Sequence, residues 1–200
     1  MGSEMCIRDR YYFNPFSGVG VNLINNDKLR LGGGVGLAFG RDGDDVPLLG
    51  DSGDIDPTLT ARLSGRAIVG YAAIGIGAAV PLGGDIDGAS FSASIGTRYP
   101  VSDRLTVVPG IRATYMTKGW ANTFYGITQE QAAQNGLSPF LPGAGVSALD
   151  GYGIIFYEVR EDLQVLAGIN YSQLFGDVKD SPLTPKDSGV SAGIGFAKRF

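Results

Sequence analysis

LTVVPGIRATYM, running from Leu105 to Met116, decides the fold. Leu105, Val107, Ile111, Ala113 and Tyr115 fall on one side of an extended chain, while Thr106, Gly110, Arg112 and Thr114 fall on the other. A period of two with one apolar side is the signature of a β-strand with a single apolar face. The pattern recurs in both directions from there. Phe91, Ala93, Ile95 and Tyr99 oppose Ser90, Ser92, Ser94, Gly96 and Arg98, and Ile74, Ile76 and Val80 oppose Gly75 and Gly77. Towards the C-terminus, Leu163, Val165, Ile169 and Tyr171 oppose Gln164, Gly168, Asn170 and Ser172, and Val190, Ile194 and Phe196 oppose Ser191, Gly193 and Gly195.

The second face sets the expected environment. It carries Gly, Ser, Thr, Asn and the arginines Arg62, Arg66, Arg98 and Arg112, a set suited to a polar lumen. The apolar face ends in Tyr99, Tyr115 and Tyr171, where an interfacial girdle would sit. Soluble sandwiches also alternate, but their strands average about 5 or 6 residues. The fold expected is all-β, an antiparallel up-and-down transmembrane β-barrel.

Connections alternate in length. NNDK (25–28), PVSD (100–103) and RED (160–162) are short turns, whereas 41–56, 119–142 and 176–188 are long and polar. About nine strands result, near 17–24, 29–40, 57–66, 67–81, 87–100, 104–118, 145–160, 162–175 and 188–200. Bacterial barrels close with an even number, so an odd count predicts that strands are missing at the N-terminus. MGSEMCIRDR (Met1 to Arg10) fits no part of the pattern and is read as a non-native segment, leaving 11–200 as a partial barrel domain. Within the 145–160 strand the run Ile154, Ile155, Phe156, Tyr157 breaks the alternation, and Pro109 falls mid-strand.

Composition narrows the function classes. The chain has no histidine and one cysteine, Cys6, inside the segment set aside. Histidine-based triads, HExxH zinc sites and thiol chemistry therefore have no residues to use. A net charge of −4 with no basic stripe argues against nucleic acid. GIGAAV (75–80) lacks the third small residue and the following helix of a dinucleotide fingerprint. The loop carboxylates, such as Asp54 with Asp56 and Asp85 with Asp87, read as solvated groups rather than acid–base pairs. No catalytic residue, cofactor or metal is expected.

One helix is predicted in the longest loop. Thr128 with Gln131 makes a capping box, QEQAAQN supplies helix formers, and Gly136 ends it. Phe124, Tyr125, Thr128, Gln131 and Phe140 are the candidate contact surface of that loop.

FYGITQEQAAQNGL (124–137), the GRDGDD loop (40–45) with GDID (53–56), PGIRATY (109–115), YSQLFGDVKDSPL (171–183) and SAGIGFAKRF (191–200) together resemble the MltA-interacting protein family, also called MipA/OmpV. The closing strand departs from the family pattern at Lys198, where an aromatic is usual. The resemblance implies an outer-membrane barrel of roughly twelve strands, in contact with outer-membrane lipid. Phe196 and Phe200 would be its terminal signal for the barrel-assembly machinery. It also implies a non-enzymatic scaffold that joins a lytic transglycosylase to a murein synthase. Two other roles stay open: a passive small-solute channel in which Arg62, Arg66, Arg98 and Arg112 favour anions, and a surface adhesin or antigen acting through the loops at 41–56 and 119–142.

Overall fold

A computed structural model describes residues 11–14, 18–43 and 46–198. Its strands are β1 (Tyr11–Asn14), β2 (Gly18–Asn25), β3 (Leu29–Ala38), β4 (Thr58–Val69), β5 (Ala72–Pro81), β6 (Ser90–Thr97), β7 (Tyr99–Pro100), β8 (Leu105–Met116), β9 (Gly145–Arg160), β10 (Leu163–Leu174) and β11 (Ser188–Lys198). They form one antiparallel meander in the order β1-β2-β3-β4-β5-β6-β8-β9-β10-β11, with β7 continuing β6 along β8. The sheet is barrel-like and not closed: β1 and β11 are its edges.

Two features of the strand count differ from expectation. β1 adds a strand, so among the described residues the meander has ten members in its path rather than an odd number, and the parity of this count gives no ground for missing strands. The turn placed at 66/67 instead lies at Gly70 and Tyr71, flanked by the pair Val69↔Ala72. Gly70 has φ 61, and among the described residues no non-glycine has positive φ, the pattern of a type II′ hairpin with glycine leading. Nothing else in AIVGYAA marks a turn.

The alternation holds in three dimensions. On one face Leu63 is 64% exposed, Ile76 62% and Ile194 82%, and most large apolar residues of the long strands share that side. The strand at 145–160 carries a bulge, which sets its parity, while the run Ile154 to Tyr157 places two apolar residues on each face. Tyr115 pairs with Val146 and Thr114 with Ala148, so Ser147 is an extra residue. Its buried hydroxyl donates to the Thr114 carbonyl at 3.1 Å. A bulge inserts one residue and reverses the parity of the residues after it. Ile155 and Tyr157 therefore join the apolar face, with Ile154 and Phe156 on the other. Pro109 also leaves a mark. Gly96 pairs with Gly110 and Tyr99 with Val107, with no bridge between, so the strand facing Pro109 is split into β6 and β7.

The buried core lies beyond the sheet, among the long loops. α1 (Lys118–Tyr125) and α2 (Gln129–Asn135) fold over the loop end of the strands. Ala38, Ile55, Ile86 and Trp120 form one buried cluster, backed by Ala79, Met116 and Phe124. Leu49, Ile127 and Ala132 form a second, backed by Val46, Leu137, Phe140 and Leu183. Because Trp120 packs against Ala38 and Ala79 at the ends of β3 and β5, the cap covers the polar side of the sheet, which is its inner face.

Candidate functional site

The inner wall is built by register. Tracing hydrogen-bonded neighbours across the sheet gives Arg30↔Arg66, Arg66↔Gly75, Gly75↔Ser94, Ser94↔Arg112, Arg112↔Asp150 and Asp150↔Ser172. Partners in register share a face, so one row carries Arg30, Arg66 and Arg112 and a single carboxylate, Asp150. Asp150 is buried and accepts a long hydrogen bond from Asn170 Nδ2 at 3.5 Å.

The four arginines expected on this face sit in different settings. The Arg62 side chain runs toward the cap, donating from Nε to Thr60 Oγ1 at 3.1 Å and from Nη2 to the Leu37 carbonyl at 2.7 Å. Arg66 is exposed on the open wall. The Arg98 guanidinium lies 5.6 Å from the Phe156 ring centroid, and that of Arg112 lies 5.6 Å from Tyr152. These distances are within cation–π range. Tyr152 can lie flat because Gly110 and Gly96 carry no side chain: a Cβ on Gly110 would sit 2.4 Å from the ring, and one on Gly96 2.9 Å from the hydroxyl.

Arg30, on the same row, is a residue that sequence reasoning missed. The flanking Leu29 and Leu31, both on the apolar face, were the signal for it.

Under α1 an open hollow of about 600 Å³ is bordered by Ala38, Arg62, Ser64, Ser92, Trp120 and Phe124, among others.

The loop residues singled out from the sequence are mostly turned inward. Phe124 is half-buried against Trp120, ring centroids 5.9 Å apart, and Phe140 packs on the Leu49–Ile127 cluster. Thr128 and Gln131 form the capping box, with Gly136 left-handed at the helix end. The Gln131 amide also reaches the Ser52 carbonyl at 2.6 Å. Only Thr128 of the five is exposed. Phe196 stands 80% exposed on the apolar face of β11. Phe200 lies outside the described residues.

Arg41, a residue of the GRDGDD loop to which the sequence assigns no role of its own, is the hub of the cap. It donates from Nη1 to the Phe124 carbonyl at 2.7 Å and from Nε to the Gly53 carbonyl at 3.1 Å, joining α1 to the 41–56 loop. Burial lowers its pKa, and the charge of nearby Tyr125 opposes that shift. Burial in turn raises the Tyr125 pKa, partly offset by Arg41. Ser181 Oγ donates to the Tyr125 carbonyl at 2.7 Å, bringing in the last long loop. The loop carboxylates serve as staples: Asp54 accepts from Gly43 N–H, Asp85 from Asp56 N–H, and Asp177 from Gly143 N–H. Among the described residues no group of three His, Cys, Asp or Glu side chains gathers to hold a metal.

A capped antiparallel meander with an apolar outer face and a polar inner one belongs to the up-and-down β-barrel class. The family description "MltA-interacting protein MipA" matches residues 5–200, and the chain belongs to that family. It is also similar to "Putative outer membrane protein YiaT" of Escherichia coli K12 and of Escherichia coli O157:H7, each 22% identical over 103 residues. Those matches take in 48% of this chain and 39% of the relatives, so the chain covers well under half the length of either.

Proposed function

We propose that this protein is a non-enzymatic β-barrel of the outer membrane whose short-turn end binds murein-remodelling enzymes. The observation that carries the membrane location is the outer face. Leu63, Ile76, Ile95, Ile111, Ile169 and Ile194 all stand more than two-fifths exposed, strand after strand. Soluble monomers rarely expose a contiguous apolar patch beyond a few hundred Å². Lipid hydrocarbon is the solvent that such a face matches, and every backbone group of a closed barrel is satisfied within it. The outer-membrane naming of the relatives and the family name, which refers to the murein enzyme MltA, agree with this reading.

The choice of binding end comes from the division of labour between the two ends. The long loops are consumed by the cap, whereas the short turns are held by single side chains and leave others unused. Asn26 Oδ1 accepts from the Lys28 and Leu29 N–H groups, and Ser102 Oγ accepts from Leu105 N–H. Asp103 and Glu161 are exposed at their turns. Replacing both with Lys is expected to weaken capture of a lytic transglycosylase by the detergent-solubilised protein while leaving the barrel's gel mobility unchanged. Undiminished capture by the double variant and by a wider turn series would reject the scaffold role.

A further inference from the structure

We propose that the inner wall carries a binding site for a multiply charged oxyanion, formed by Arg30, Arg66, Ser94 and Arg112. Arg30 and Arg66 are directly opposed on β3 and β4. Like charges in that relation repel each other and destabilise the sheet. Neither takes part in an ion pair among the described residues, nor does Arg112. Among the described residues Arg30 donates from Nε to Asn25 Oδ1 at 3.0 Å. An oxyanion bridging the two guanidinium groups would remove the repulsion and gain charge-assisted hydrogen bonds of the kind arginine makes best with phosphate.

The floor between Arg66 and Arg112 is open. Two small residues separate them on the row, Gly75 and Ser94. The Ser94 hydroxyl leans over Gly75, 2.5 Å from where a Cβ would stand, so the glycine makes room for it. Three strand spacings put Arg66 and Arg112 about 14 Å apart at the backbone, a gap two arginine side chains can close on one ligand. Tyr152 holds the far guanidinium beside this gap, over the neighbouring row. Its ring crosses β8 at Gly110 to reach Gly96 on β6, and the Arg112 head sits over that ring. The nearest carboxylate in the row, Asp150, is buried and turned to Asn170.

Charge segregation points the same way. The cap holds Asp42, Asp54, Asp56, Asp85, Asp87 and Glu130, while the wall below is arginine-rich, in a chain whose net charge is −4. The source of the oxyanion is left to the test: free inorganic anion or the phosphate of a small solute. This site depends on the inner face being wetted and not on the scaffold reading.

The test uses the full chain folded in detergent micelles, with inorganic pyrophosphate as the probe at low ionic strength. Melting of the folded gel band is followed alongside calorimetric titration. Pyrophosphate is expected to raise the wild-type melting temperature, whereas matched chloride does not. Arg66→Gln is expected to melt higher than wild type without ligand, to bind at least about tenfold more weakly, and to lose the ligand-induced rise. Arg104→Gln, in a short turn, should respond like wild type. If Arg66→Gln fails to fold, Arg30→Gln and Ser94→Ala read the same site. No response in the wild type, or an equal response in Arg66→Gln, would overturn the proposal, as would an equal loss in Arg104→Gln. Glucose 6-phosphate in place of pyrophosphate then separates the two sources.

Discussion

Ile76 lies at the middle of β5, opposite Gly65 on β4 and Ala93 on β6, with its side chain 62% exposed on the apolar face. Replacing it with arginine separates two environments by magnitude. In water, an exposed side chain away from any special feature changes stability by about 0.5 kcal/mol or less. In a bilayer, arginine on the lipid face of a barrel costs about 2–4 kcal/mol at the midplane. No internal cavity or lost hydrogen bond confuses the comparison, since the side chain makes no polar contact and its neighbours are small. With a urea slope of about 2 kcal/mol per molar, a penalty of about 3 kcal/mol moves the midpoint by roughly 1.5 M. Ser172→Arg is the control: it lies on the inner face opposite Asp150 and should shift the midpoint little. Urea unfolding in lipid vesicles, followed by the fluorescence of Trp120, the sole tryptophan, gives both numbers. A penalty under about 0.5 kcal/mol for Ile76→Arg would refute the assignment of this face to lipid.

Gly110→Ala should cost about 1–3 kcal/mol, since the new methyl group meets the Tyr152 ring and overpacks it; Gly151→Ala, where a Cβ meets nothing within 4 Å, should be nearly silent in the same unfolding assay. Tyr125 gives the cap a pH dependence. Its folded pKa is raised above the ordinary value of about 10, so the folded state holds the proton more tightly. The contribution is fully present below the unfolded value and lost as pH rises from there through the raised folded value. Trp120 fluorescence should therefore report loosening of the cap above about pH 10, and Tyr125→Phe should flatten that response. Thr128→Ala removes one half of the capping box and should lower cap stability by about 0.5–2 kcal/mol, read as faster proteolysis within α2 with the strands untouched.

How far each element is legible in the sequence depends on the range of the interactions that set it. Strands such as β8 and β10 are legible because each residue's environment is set by its parity alone. Ser147 breaks β9 by one residue, and a single serine gives no warning that parity reverses. Gly70 and Tyr71 hide between two apolar runs, since a two-residue turn needs only one glycine. α2 is readable from its own caps. α1 is not: KGWANTFY has weak helix formers and no side-chain cap, and it is helical because Trp120 and Ala121 are buried beneath the loops. The arginines of the wall can be placed on a face by counting twos, but their row cannot. The facing of Arg30 and Arg66, and of Arg112 with Ser94, depends on strand register, which is set by turns on either side. Phe124 and Phe140 read as a contact surface because aromatic residues in a polar loop suggest a partner. Their partners are other loops of this chain.

Whether the sheet closes within a bilayer is the central claim, and electrophoretic mobility tests it most directly. The chain would be exported with a secretion signal, the outer membranes isolated, and the protein run with and without boiling. A closed barrel resists unfolding by detergent, so the unboiled protein should migrate as a compact band that shifts to the mobility of the 20.9 kDa chain on heating. Recovery in the soluble fraction, with one mobility whatever the heating, would contradict the account.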